Sequence, residues 1–279
     1  SENTVQIHKE AGEITGLQKV SAVEVNYKGK PYLMYKVQWD TYLRHKMKMA
    51  GSFLFGKQAT GTDASGKTWY TTQGLRSYIF EGDGVTKTTG GVTKQVTTLD
   101  FATDWLDLSR KLDKNQAPKE YWAYIGGDLN AALDLELADL NGIKNSLDFS
   151  SFGSGNASKR AVDLGFDSFR IFNRTYHKKQ LSFLDHKGLY GAPGFDFASE
   201  AYLVPTDKIK IDGGNEVSDR IRMRVMAGDG TNFYPHHEAV TGKLAPTPTN
   251  TSSVLHISYE TVAGLQVCGT EHFAAIYKS

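Results

Sequence analysis

The sequence predicts an α+β fold: a polar arm, one long amphipathic helix, two shorter helices, then a mainly β second half. Three observations carry that prediction. Residues 33–55 repeat apolar side chains at three- and four-residue spacing, the signature of a helix with one covered face. Residues 99–112 and 129–140 do the same over shorter spans. From Ala161 onward, apolar residues alternate or cluster between Gly and Pro punctuation, as strands do.

Taken in order, residues 1–31 are polar and lack helical periodicity. Within them "KVSAVEVNYKGKPY" alternates Val20, Ala22, Val23 and Val25 with polar residues and turns at Lys28-Gly29-Lys30-Pro31, which predicts a hairpin or extended arm. Such an arm has little core of its own and needs another surface to lie on. The helix over 33–55 would bury Trp39, Tyr42, Leu43, Met47, Ala50 and Leu54, expose Asp40, Thr41, Arg44, His45 and Lys48, and stop at Gly56. The stretch from Lys36 to Lys57 is basic, with Lys36, Arg44, Lys46, Lys48 and Lys57 against Asp40, which reads either as a solvated helix face or as a surface that meets phosphate.

Residues 81–98, rich in Gly and Thr, predict a long hairpin. The helix over 99–112 would bury Phe101, Trp105, Leu108 and Leu112, with Asp100 and Asp104 in its first turn. "EYWAYIGG" predicts a buried strand, and Asp128 an N-cap for a helix burying Leu129, Leu133, Leu137 and Leu140. "SSFGSGNASK", residues 150–159, reads as a linker. "FDSFRIFNRTY" and "SEAYLVP" predict strands, and "DRIRMRVMAG" a strand with Ile221, Met223 and Val225 on one face and Arg220, Arg222 and Arg224 on the other. The C-terminal stretch predicts two strands turning near Ala263-Gly264.

Composition narrows the function. The chain has 279 residues, 39% hydrophobic and 23% charged, which fits a soluble globular protein of one large or two interleaved domains. A formal net charge of +1 argues against a dedicated nucleic-acid binder. The single Cys268 excludes an internal disulfide. No apolar run reaches the roughly eighteen residues of a membrane helix, and no signal peptide is visible.

One motif invites a nucleotide: "GTDASGKT", residues 61–68, matches G-x-x-x-x-G-K-[ST] at Gly61, Gly66, Lys67 and Thr68. Its context is wrong. The preceding "FGKQAT" is polar where a buried strand should end, and "WYTTQGLRSYIF" does not read as the helix that should follow. The expectation is an exposed glycine-rich turn, with a P-loop nucleotide-binding protein kept as the rival from another class. His236, His237 and Glu238 are adjacent and so do not converge on a metal. Cys268 with His272 four places on could pair as nucleophile and base, although a small buried cysteine is the commoner use. No catalytic, cofactor-binding or metal residue is assigned, and no enzyme activity is expected.

Several strings resemble a known family. "VQWDTYLRHKMKMAGSFLFGK" with "TTQGL" at 71–75 resembles a spine helix, its stop and the segment beyond a variable loop. "LDFATDWLDLSRKLDKNQAPKEYWAYIGGDLNAAL", "GLYGAPGFDFASEAYLVPTDKI" and "SYETVAGLQVCGTEHFAAIYK" follow in the same order as that family's helix–strand–helix, axial segment and terminal strands. The family is the major capsid proteins of tailed bacteriophages with the Hong Kong 97-type fold. The resemblance implies an N-terminal arm and extended loop over 1–31, and a peripheral domain over 32–125 with the spine helix at 33–55. A mainly axial domain over 126–242 and a return to the peripheral domain over 243–279 complete it. It further implies self-assembly as hexamers and pentamers into an icosahedral virion shell around double-stranded DNA, without sequence specificity or membrane, in the host bacterial cytoplasm. Portal, scaffold, protease or cement proteins would be partners. The segment Lys19–Pro31 would lie across a neighbouring subunit, and Arg44, Lys46 and Lys48 would face DNA or a subunit boundary. Ser1 would fit removal of an N-terminal scaffolding segment by protease. An encapsulin-like protein compartment is the alternative with the same fold.

Overall fold

The computed structural model describes residues 3–15, 22–27, 30–82, 90–96, 100–140, 168–186, 197–210, 217–225, 237–241 and 254–278. In chain order the first elements are β1 (Gln6–Thr15), β2 (Ala22–Tyr27), β3 (Lys30–Tyr35), α1 (Lys36–Phe55), β4 (Ala59–Thr62), β5 (Thr68–Thr71) and α2 (Leu75–Glu81). Next come β6 (Val92–Val96), α3 (Phe101–Lys114), β7 (Glu120–Ile125), α4 (Gly127–Leu140), β8 (Ser168–Ile171), β9 (Arg174–Gln180) and β10 (Glu200–Pro205). The last are β11 (Lys208–Lys210), β12 (Val217–Asp219), β13 (Ile221–Val225), β14 (His237–Thr241), β15 (Val254–Val267) and β16 (Ala274–Lys278). They form two compact units, each made of separated stretches of chain.

One unit comprises Glu2–Ser77 and Arg222–Gln266. Its arm strand β1 pairs antiparallel with β15 along its whole length, from Gln6↔Ala263 to Thr15↔Val254. Strand β14 takes the other edge of β15, from His237↔Glu260 to Thr241↔His256. The polar arm thus gains the surface it lacks by completing a sheet.

The expected hairpin forms as β2–β3, in the register Ala22↔Tyr35 to Tyr27↔Lys30. That register takes Leu33, Met34 and Tyr35 into a strand, so α1 begins at Lys36 rather than at residue 33. The covered face of α1 also differs from the expected one. Thr41, His45 and Met49 are its buried residues, one per turn, whereas Met47 is 40% exposed. The cause lies opposite. Gly12 leaves no side chain where Thr41 sits, and a Cβ there would collide with Thr41 Oγ1. Buried polar groups persist when hydrogen-bonded, and Thr41 Oγ1 donates to Val37 O at 2.7 Å while His45 Nε2 lies 2.9 Å from Thr261 Oγ1. Around them pack Ile14, Leu255, Ile257 and Tyr259, with Val37 and Tyr42.

The expected turn at Ala263-Gly264 does not exist, because β15 runs straight through it. Gly264 serves close approach instead: a Cβ there would sit 2.8 Å from Thr4 O of the arm. The chain turns later, at Gly269 with φ +71°, where a left-handed residue is cheap for glycine.

The other unit comprises Tyr78–Ile221 and Val267–Ser279, so residues 78–125 cluster with the sheet that follows and not with the spine helix. It is built on a six-stranded sheet in the order β6-β16-β10-β7-β9-β8. The pairs β6–β16 and β7–β9 are parallel and the others antiparallel. Strand β6 therefore edges a sheet; the hairpin expected over 81–98 does not form among its described residues. Both α3 and α4 cover one face, where Trp105, Leu108, Leu112, Leu129 and Leu133 meet Tyr121, Ala123, Ile125, Leu203 and Ile276.

Helix α3 buries Trp105, Leu108 and Leu112 as expected, the Phe101 side chain lying outside the described residues, and Asp100 is its N-cap, accepting the Thr103 N–H at 3.1 Å. Helix α4 starts at Gly127, which puts Asp128 inside the first turn and not at the cap. The Gly127 N–H donates to Asp185 Oδ1 at 2.6 Å, so the anion at this helix end comes from a short 3-10 helix, Ser182–Asp185, far along the chain. Helix α2 was not expected. It emerges where Leu75, Tyr78 and Ile79 become buried, a tertiary effect that local β propensity does not record. The segment 150–159 lies outside the described residues, as does His236.

Candidate functional site

The P-loop pattern resolves first. Its eight residues form the tip of the β4–β5 hairpin, which is paired from Ala59↔Thr71 to Thr62↔Thr68 with an exposed turn between. Asp63 fills that turn. Its Oδ1 accepts from Ser65 N at 2.9 Å, Ser65 Oγ at 2.7 Å and Lys67 N at 2.8 Å. These bonds, the Ser65 hydroxyl first, hold its carboxyl below the usual range. A nucleotide loop aims backbone N–H groups at phosphate; here an aspartate of the loop occupies them, and no helix begins at Lys67. The rival reading of residues 61–68 as a nucleotide site is therefore overturned.

The other chemical candidates also disperse. Cys268 is half-buried with a free thiol, and its N–H donates to Arg220 O at 2.9 Å. His272 turns its Nε2 toward Asn115 O at 3.2 Å. Glu238 accepts from Gln38 Nε2 at 2.7 Å and from Tyr259 Oη at 3.3 Å. Burial, with the nearby Glu238 charge, pushes the Tyr259 phenol up. Among the described residues no group of three His, Cys, Asp or Glu could hold a metal.

What the sequence does assemble is a seam between arm and spine helix. Even-numbered residues of β1 face the helix: His8 and Ile14 are buried, and Glu10 and Gly12 partly so. Glu10 sits between Arg44 and Lys48, which lie one turn apart on α1. It pairs with Lys48 and lies 3.7 Å from Arg44 Nε, and Arg44 also donates to Thr41 Oγ1 at 3.3 Å. Lys46 instead lies over the Tyr42 ring, 5.3 Å from its centroid. Of the three basic residues singled out in the sequence, two thus meet one carboxylate of their own chain. On the solvent side of β1, Lys9–Glu260 at 3.1 Å and His256–Glu13 at 3.2 Å bind strand to strand.

The seam is fixed at its end by Asn3. Its Nδ2 reaches Leu265 O at 2.6 Å, Thr72 Oγ1 at 3.0 Å and Gln73 O at 3.0 Å, while its Oδ1 accepts the Gln73 N–H at 2.9 Å. His8 lies edge-on to Phe53 at 5.7 Å, and burial holds its pKa below 6.5. Asn3, Glu10, Gly12, Thr41 and Thr261 are the residues that sequence reasoning missed. Only the glycine offered a signal, since a glycine inside a strand pattern marks close approach.

The alternating basic strand is less regular than expected. Arg220 is buried and forms a fork with Asp207, at 2.6 and 2.7 Å. Arg222 and Arg224 both donate to Gln266 Oε1, at 2.8 and 2.7 Å, and Met223, expected inward, is 49% exposed. In the sheet unit, the fully buried Arg174 pairs with Asp113 and donates to Ala117 O at 2.9 Å. Beside it, burial pushes the Tyr176 phenol up to about 12. Through these bonds Arg174, Arg220, Arg222 and Arg224 join separate pieces of chain.

The sequence profile of the SU10 major capsid protein family matches residues 1–154, more than half of the chain. No curated protein matches in sequence. Among solved structures, a chain of Gordonia phage Cozz is similar over 100% of this chain and 71% of its own, at 10% identity and TM-score 0.52. The capsid of cyanophage P-SCSP1u (10% identity, TM-score 0.46) covers 99% of this chain and 73% of its own. The SrpI encapsulin complex of Synechococcus elongatus PCC 7942 (9% identity, TM-score 0.45) covers 98% and 73%. The last two are too distant to argue from. The fold is that expected from the sequence, α+β of the Hong Kong 97 type.

Proposed function

We propose, from the premise that this chain belongs to the SU10 major capsid protein family, that it is the shell subunit of a tailed-phage head built of hexamers and pentamers around double-stranded DNA. As a major capsid protein it is a structural component of the virion. The observation that carries the finer reading is the family match over residues 1–154, which spans the arm, the β2–β3 hairpin and the spine helix.

The parts take roles accordingly. The unit holding α1 and β15 serves as the peripheral domain, and the unit holding the six-stranded sheet as the axial domain. The β2–β3 hairpin reaches over a neighbouring subunit. The exposed heads of Arg44, Lys46 and Lys48 lie at a subunit boundary or toward packaged DNA, with Glu10 offsetting part of their charge. Function then resides in contacts between copies, without a catalytic centre. Portal, scaffold, protease and cement proteins are the expected partners, and the host cytoplasm is the place of assembly.

Negative-stain electron microscopy of the particulate fraction, with the chain identified by mass, tests this. Uniform icosahedral particles that hold nuclease-protected DNA are expected. Shells holding protein cargo would point to a compartment of the same fold, and a chain found only as a soluble monomer would sink both.

A further inference from the structure

We draw no further inference here: the strongest candidate, the open face of the six-stranded sheet at β7, β9 and β8 with the exposed Trp122 beside His177, carries none because nothing in the structure shows what covers it.

Discussion

Helices α3 and α1 rest on their sheets in different ways. Helix α3 presents Trp105, Leu108 and Leu112, all fully buried among apolar neighbours. Helix α1 presents Thr41, His45 and Met49, two polar residues of three, to a sheet that makes room for them with Gly12 and meets them with Thr261. The first seat is stabilised mainly by area removed from water, at about 25 cal/mol per Å². The second depends on satisfied hydrogen bonds, each worth about 1 kcal/mol net, and on close backbone approach. A seat of the second kind is specific in geometry and modest in strength.

The comparison breaks hardest at Trp105. Its ring meets Phe169 at 4.9 Å and Tyr176 at 5.0 Å, both edge-on. Trp105→Ala removes the largest fully buried side chain of that core and leaves a cavity, so a loss of about 3–5 kcal/mol is expected. Urea unfolding of unassembled chain, followed by far-ultraviolet circular dichroism, reads it. A loss below about 1 kcal/mol would mean that the α3 seat is no drier than the α1 seat.

Acid should act on the polar seat. Burial disfavours the charged form of His8, so its pKa in the folded chain lies below the 6.5 of a free histidine. The unfolded chain then binds the proton more readily than the folded one. Stability is expected to fall as pH drops through about 6.5 and to level off once the pH is below the folded value. His8→Leu, which keeps an apolar group against Phe53, should flatten this segment of the curve. Melting temperatures of both proteins at a series of pH values between about 7 and 5 decide it, and parallel curves would show that His8 contributes nothing to acid sensitivity.

The same contrast explains what the sequence could and could not show. Helix α3, strands β7 and β10 and the β2–β3 hairpin were legible because each carries its own period, cap or turn. The seat of α1 was not, because Thr41 and His45 look like solvent-facing residues until Gly12 and Thr261 are brought opposite them, more than 25 and 200 residues away in sequence. Gly264 misled for the related reason that glycine serves close approach as well as turns. The start of α4 was missed because its anion, Asp185, lies 58 residues on. The basic helix face was visible, but its partner Glu10 was hidden within an arm that reads only as polar. The motif at 61–68 shows the converse: a complete local pattern that its neighbours in space do not support.

The smallest expected effect is at Glu10, and it sharpens the comparison most. Its pairs join a carboxylate that is only 11% exposed to the Arg44 and Lys48 side chains, which are 57% and 61% exposed, so water and salt still reach the cation end of each bond. Such pairs contribute about 0–1 kcal/mol and weaken with salt. Glu10→Gln should therefore shift the urea midpoint only slightly, and the shift should shrink further near 1 M salt. The same change leaves Arg44 and Lys48 without their carboxylate and raises the positive charge of the spine-helix face. If that face turns to packaged DNA, the variant should hold short duplex DNA more tightly at low salt, with a steeper salt dependence, in a fluorescence-anisotropy titration. If it lies at a subunit boundary, binding to DNA should stay unchanged while assembly shifts. A loss of several kcal/mol from Glu10→Gln would contradict both outcomes, because it would show the arm to be held by its charges and not by His8, Gly12 and Ile14 beneath them.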